Sequence, residues 1–102
     1  MNFVVRFTAE AESDLFRLFE FILERDQTNW DLAERALIAI KDAIRILEIS
    51  PFSFRKSTSD NPFLRELVIP FGSSGYVALS EIDDARTVSV LAVRHQLEDD
   101  YH

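Results

Sequence analysis

At 102 residues and 11.8 kDa, the chain has room for one domain, residues 1–102, and little else. Its 47% hydrophobic and 28% charged residues exclude an intrinsically disordered chain, and the absence of cysteine excludes disulfides and thiolate metal sites. The net charge of −7 argues against a protein that grips nucleic acid over a broad basic surface.

That charge is uneven. Residues 1–50 carry six basic and ten acidic side chains, residues 51–95 five of each, and residues 96–102 three acids. A local basic cluster around Arg55, Lys56 and Arg65 is still a candidate contact for phosphates. No signal peptide is visible, because Arg6 and Glu10 interrupt any early apolar run. No segment approaches the roughly 20 apolar residues of a membrane helix. The expected compartment is the cytoplasm, with no membrane partner.

In chain order, Asn2–Phe7 (NFVVRF) is β-branched and aromatic and suits a strand. Thr8 suits a helix N-cap, with Glu10 and Glu12 in the first turn, where the helix dipole favours acids. Ala11, Leu15, Leu18, Phe19 and Ile22 recur at helical spacing, widened by Phe16 and Leu23, and predict a helix over Ala9–Arg25. Phe21 falls outside this stripe and must face a neighbour, a partner or water.

Thr28 with Asp31 forms a capping-box pattern. Ala33, Ala36, Leu37, Ile40, Ile44 and Leu47 then predict a second helix over Asn29–Glu48, limited by Pro51. The short connection predicts an antiparallel helical hairpin. Leu32, Ala39 and Ile46 form a second line at seven-residue spacing, either against the sheet or as a groove wall.

Ser50–Pro62 reads as a loop. Phe63–Ile69, Tyr76–Ile82 and Thr87–Val93 follow as strands, divided by PFGSSG and by Asp83–Asp84–Ala85, and their spacing predicts an antiparallel meander. The last is the most apolar and suits a central position. The fold class is α+β, β-α-α-β-β-β, an antiparallel sheet with an N-terminal helical hairpin on one face.

This order resembles the ParE/RelE toxin superfamily of type II toxin–antitoxin systems, the plasmid stabilisation proteins. FTAEAESDLFRLFEFI at residues 7–22 is similar to its opening strand and Ala-x-x-Asp-Leu helix start. Pro51 followed by Arg55 resembles its proline-to-arginine loop, Leu64–Arg65–Glu66–Leu67 its strand arginine, and Val93–Arg94–His95–Gln96, ending near Tyr101, its closing Arg-His segment. Phe54 departs from the pattern, standing where members often have glycine.

The resemblance implies a toxin held inactive by a cognate antitoxin whose C-terminal tail wraps the hairpin and sheet, in a hetero-oligomer. It is nearer the ParE type, which poisons DNA gyrase without catalytic residues of its own, so enzyme activity is not the leading expectation. The alternatives are a RelE-type ribonuclease cutting messenger RNA on the ribosome, and a toxin fold that has lost toxicity. A metal-free ribonuclease needs a base, an acid and cations around the phosphate. Arg65, Arg94, His95 and Tyr101 are the catalytic candidates by that reading; alternatively Arg65, Arg94 and His95 cap strand ends and pair with nearby acids such as Glu66 or Glu98.

No cofactor is expected. His95 and Glu98 have metal spacing but no third ligand, so no metal is expected either. Gly72–Ser73–Ser74–Gly75 opens no helix and reads as a turn rather than a phosphate cradle. Candidate contacts for an antitoxin are Phe21, Trp30, Leu32, Ala39, Ile46, Phe52 and Phe54. Because the helices are acidic, the antitoxin tail is expected to be basic where it crosses them.

Overall fold

The computed structural model describes residues 2–25, 30–72 and 74–98. Strand β1 (Val4–Phe7) leads into helix α1 (Ala9–Arg25) and helix α2 (Trp30–Ile44). Strands β2 (Arg55–Lys56), β3 (Leu64–Phe71), β4 (Ser74–Ile82) and β5 (Thr87–His95) follow. They form a five-stranded sheet in the order β1-β5-β4-β3-β2, with α1 over β5 and α2 over β3. The α+β class and the hairpin on one face are as predicted.

Two features lay outside the sequence patterns. The meander is antiparallel, but β1 joins β5 in parallel, with Val4 opposite Thr87 and Phe7 opposite Val90. Residues Arg55–Lys56, in the predicted loop, add a short antiparallel edge against Glu66 and Arg65. β5 lies between β1 and β4, as its apolar run suggested.

The core is Leu18, Ile40, Ile44 and Leu47 from the helical side, against Leu67, Ile69, Tyr76, Ala78, Ile82, Val88, Val90 and Val93 from the sheet. Helix α2 stops at Ile44, short of the predicted Glu48, and the chain tightens into a 3-10 turn over Arg45–Glu48. At about three residues per turn, Ile44 and Leu47 fall on one side, and both are buried. Phe16 departs from its stripe. It is 65% exposed on the outer side of the hairpin, beside Leu37 and Lys41. Thr28 and Asn29, in the predicted capping box and helix start, lie outside the described residues.

The join between α1 and β5 explains the Ala-x-x-Asp-Leu stretch. The β4–β5 register slips by one residue, leaving Leu91 as a bulge. The Thr8 hydroxyl donates to the Val90 and Leu91 carbonyls there and accepts from the Ala11 N–H at 3.1 Å, capping α1. One turn on, the buried Asp14 carboxylate accepts the Val93 N–H at 2.9 Å. Ala11, fully buried, lets the helix sit close to the sheet. These contacts fix where the hairpin lies and therefore which of its side chains stay outside.

Candidate functional site

Arg65 and Arg94 lie on opposite faces of the sheet. Arg65 pairs with Ser80 and Arg94 with Val77, three residues apart on β4. Each guanidinium is held by backbone oxygens. Arg65 Nε donates to the Pro62 carbonyl at 2.7 Å, and its Nη1 donates to those of Phe52 and Phe54 at 3.0 and 2.8 Å. Arg94 Nη1 donates to the Glu98 carbonyl at 2.7 Å and the His95 carbonyl at 3.2 Å, tying down the turn after β5. Both arginines close chain segments.

The other cations are dispersed. Arg17 pairs with Glu98 at 3.2 Å, Arg35 with Asp31 at 3.3 Å and Arg55 with Glu66 at 3.2 Å. Register sets Lys56 beside Arg65 on one face of the β2 edge and Arg55 on the other. The cluster expected around Arg55, Lys56 and Arg65 is thus split by the sheet. Among the described residues no group of three or more histidine, cysteine or acidic side chains could hold a metal ion.

His95 stands at the end of β5 on the helical face. The Leu97 N–H donates to its Nδ1 at 3.1 Å, so the neutral ring carries its proton on Nε2. That nitrogen bonds Ser74 Oγ at 3.0 Å. Tyr76 packs edge-on against the imidazole, with ring centres 5.6 Å apart. Sequence patterning missed Tyr76, because a strand tyrosine with inward neighbours reads as core. Tyr101 lies outside the described residues. Around this corner, Arg17, Phe21, Leu32, Tyr76, His95 and Glu98 line a pocket of about 590 Å3.

Burial raises the Tyr76 phenol above its usual value of 10.0, so it is neutral at physiological pH and cannot serve as a base there. The raised value also fixes a sign. The unfolded chain gives up this proton more readily, so the stabilisation is full below the usual phenol value and declines as pH rises through the folded one. Compared with Tyr76→Phe, the wild-type chain is expected to lose stability faster between about pH 9 and pH 11. Urea midpoints of both chains across that range check it, and parallel curves would remove the effect.

The candidate partner contacts divide by exposure. Phe21 and Trp30 are 53% and 55% exposed on the hairpin. Trp30 meets Phe19 edge-on at 5.1 Å, and its Nε1 donates to Glu34 at 3.0 Å, so the indole is oriented as well as exposed. Leu32 lines the pocket, Ala39 is half-buried and Ile46 is exposed at the far end. Phe54 turns inward onto the core, while Phe52 stays outside. Phe16, with Phe19 and Leu37 beside it, joins this outer surface, and Glu12 and Lys41 border it.

A hairpin fixed on a sheet, oriented aromatic side chains on its outer side and tied-down cations define a scaffold whose accessible features suit contact with another protein. Comparison with known proteins agrees. The family model described as ParE toxin of type II toxin-antitoxin system, parDE, matches residues 5–100. The chain belongs to this family.

Among solved structures, the fold is similar to the chromosomal ParDE toxin–antitoxin system from P. aeruginosa, with a TM-score of 0.72 and 15% identity over 91% of this chain and 95% of that one. It is also similar to the RelBE2 toxin–antitoxin complex from Mycobacterium tuberculosis, with a TM-score of 0.63 and 25% identity over 94% and 100%. No curated protein matches the chain. The matched structures are toxin–antitoxin systems, which supports an antitoxin as partner. Among the described residues no helix is long and apolar enough to cross a membrane.

Proposed function

We propose that this toxin acts by binding rather than by cutting RNA, that its target is DNA gyrase, and that an antitoxin tail laid on the acidic hairpin neutralises it. The observation that carries this reading is the engagement of its arginines. Arg65 and Arg94 stand on opposite faces and hold chain segments, and Arg17, Arg35 and Arg55 are paired with carboxylates. A metal-free ribonuclease needs cations converging on one phosphate with a base and an acid beside it. His95 has both ring nitrogens engaged within the fold.

The antitoxin contacts in this reading are Phe21, Trp30 and Leu32, with Phe16 added by the structure. Acids Glu10, Glu12, Glu20, Glu24, Asp31 and Glu34 on the same hairpin favour a lysine- or arginine-rich tail, chiefly through the rate of encounter. Purified chain, gyrase, plasmid DNA and ATP provide the test. Supercoiling is expected to fall and cleaved plasmid to accumulate, and added antitoxin is expected to reverse both. No effect at a large excess of folded chain would remove gyrase as the target. Ribosome-dependent cleavage of messenger RNA would then identify the RelE-like alternative, and its absence a toxin fold without toxicity.

A further inference from the structure

The end of the sheet away from His95 carries a second, differently built surface. Phe52 and Phe63 are 48% and 50% exposed, with ring centres 6.1 Å apart in an edge contact. Beside them, Phe3, Ile82, Asp83, Asp84 and Ala85 complete a pocket of about 330 Å3. Phe52 and Phe63 adjoin, so they form a contiguous apolar patch rather than isolated exposed rings.

Their placement is fixed. The Arg65 guanidinium sits 5.3 Å from the Phe52 ring centre while its nitrogens hold the carbonyls of Pro62, Phe52 and Phe54. The Asn61 side chain accepts the Phe63 N–H at 3.0 Å. Rings held in place before contact lose little freedom on binding, which suits them as anchors.

The rim is acidic. Asp83 accepts the Ser89 hydroxyl at 2.5 Å, and Asp84 accepts the Arg86 N–H at 2.8 Å. This backbone bond leads the contacts that hold the Asp84 carboxyl below its usual range. Arg86 flanks the rim on the same turn.

We propose that this aromatic and acidic sheet end docks on the cationic surface with which the target enzyme grips DNA. The inference rests on the gyrase reading and adds the face of the toxin that makes contact. An enzyme that holds DNA must present a basic surface to phosphates. A chain of net charge −7 with carboxylates around an apolar anchor complements such a surface. Nucleic acid itself is repelled by the same carboxylates. A second copy, meeting through a two-fold contact, would set Asp83 and Asp84 close to their own equivalents.

The test compares wild-type chain with Phe52→Ser/Phe63→Ser and with Asp83→Asn/Asp84→Asn, each checked by thermal melt. Gyrase supercoiling, affinity for the antitoxin and molar mass are the readouts. The phenylalanine pair is expected to raise the half-inhibiting concentration about tenfold or more. The aspartate pair is expected to raise it several-fold at about 50 mM salt, and the gap should narrow near 300 mM. Antitoxin affinity is expected to be unchanged, because Phe52, expected from the sequence among the antitoxin contacts, belongs here to the target-facing surface. Should the first pair fail to fold, the salt-dependent loss in the second decides alone.

Wild-type inhibition retained by both pairs would overturn the proposal. So would a loss of antitoxin affinity with inhibition intact, which would make this the antitoxin's surface, or a wild-type dimer that the phenylalanine pair splits. A wild-type chain without effect on gyrase would remove the functional reading and this docking face together, whereas the other failures leave that reading standing.

Discussion

Gly75→Ala is expected to destabilise the chain by about 3 kcal/mol, while Gly72→Ala costs only about 1 kcal/mol. The two glycines of the β3–β4 hairpin serve different ends. Phe71 pairs with Ser74, so the connection is tight, and Gly72 supplies a φ of +62°. A Cβ there would meet nothing within 4 Å, so only the backbone conformation is penalised. Gly75 has no such φ. Its Cβ would press into the Ile69 carbonyl oxygen, with the Ile69 carbonyl carbon 3.1 Å away and the Phe71 nitrogen 3.2 Å away.

Those atoms are backbone and cannot swing aside, so relief requires moving β3 against β4. The Gly75 carbonyl also accepts the Gln96 N–H at 2.9 Å, and Ser74 and Tyr76 on either side hold His95. The displacement would therefore reach the large pocket. With roughly 4–8 °C per kcal/mol for a domain of this size, the Gly75 variant should melt more than 10 °C below wild type. Thermal melts of both variants decide. Equal losses would mean that the close approach at Gly75 relaxes without cost and that turn conformation alone selects glycine here.

The sequence made the elements legible wherever a local pattern governed a run. The two helices follow from their apolar stripes, whereas the meander strands follow from β-branched runs bounded by turn residues, since β4 and β5 are buried on both faces and show no clean alternation. Failures occurred where spacing along the chain does not decide the outcome. Phe16 fits the α1 pattern but lies on the flank turned to α2, outside the core. Helix α2 gives way to a 3-10 turn over Arg45–Glu48 that keeps the buried Ile44 and Leu47 on one side, as another α turn would also have done, so the apolar spacing does not mark the change. The parallel pairing of β1 has no local signature, since Val4–Phe7 would read identically at either edge. The Leu91 bulge is invisible for the same reason, being a matter of register between distant segments.

For the candidate site, residue types were readable but their faces were not. Arg65 and Arg94 looked like one cationic pair until the register placed them on opposite faces. Arg65 shows the difficulty most clearly. Its charge invites a phosphate, yet three backbone carbonyls and the Phe52 ring account for the guanidinium. The carbonyls belong to a loop whose path the sequence leaves open. Phe52 and Phe54, equal as candidates in a polar loop, separate only when that loop closes and turns Phe54 inward.

Replacing Asp14 by alanine is expected to cost about 2–3 kcal/mol, a large share of the roughly 5–15 kcal/mol of a small domain, while Asp14→Asn costs less than half as much. Asp14 sits on α1 with its carboxylate buried, accepting the Val93 N–H from β5. Alanine would leave that amide without this acceptor in a dry setting, the costly case for a broken hydrogen bond. Asparagine keeps a side-chain oxygen able to accept the Val93 N–H, while giving up the charge and the second acceptor oxygen. Arg17, 3.9 Å from Asp14, would keep Glu98.

The consequence extends beyond stability. Thr8 and Asp14 bind α1 to both sides of the Leu91 bulge, so they set the seat of the hairpin and the exposure of Phe16, Phe21 and Trp30. Amide exchange at Val93 should accelerate in the alanine variant and stay near wild type in the asparagine one. Antitoxin affinity should fall with alanine at a temperature where the chain is still folded, because a loosened hairpin no longer presents those side chains in one arrangement. If both variants kept wild-type exchange at Val93, the amide would have another acceptor, and the conspicuous aspartate of the opening segment would be explained by its charge beside Arg17 instead.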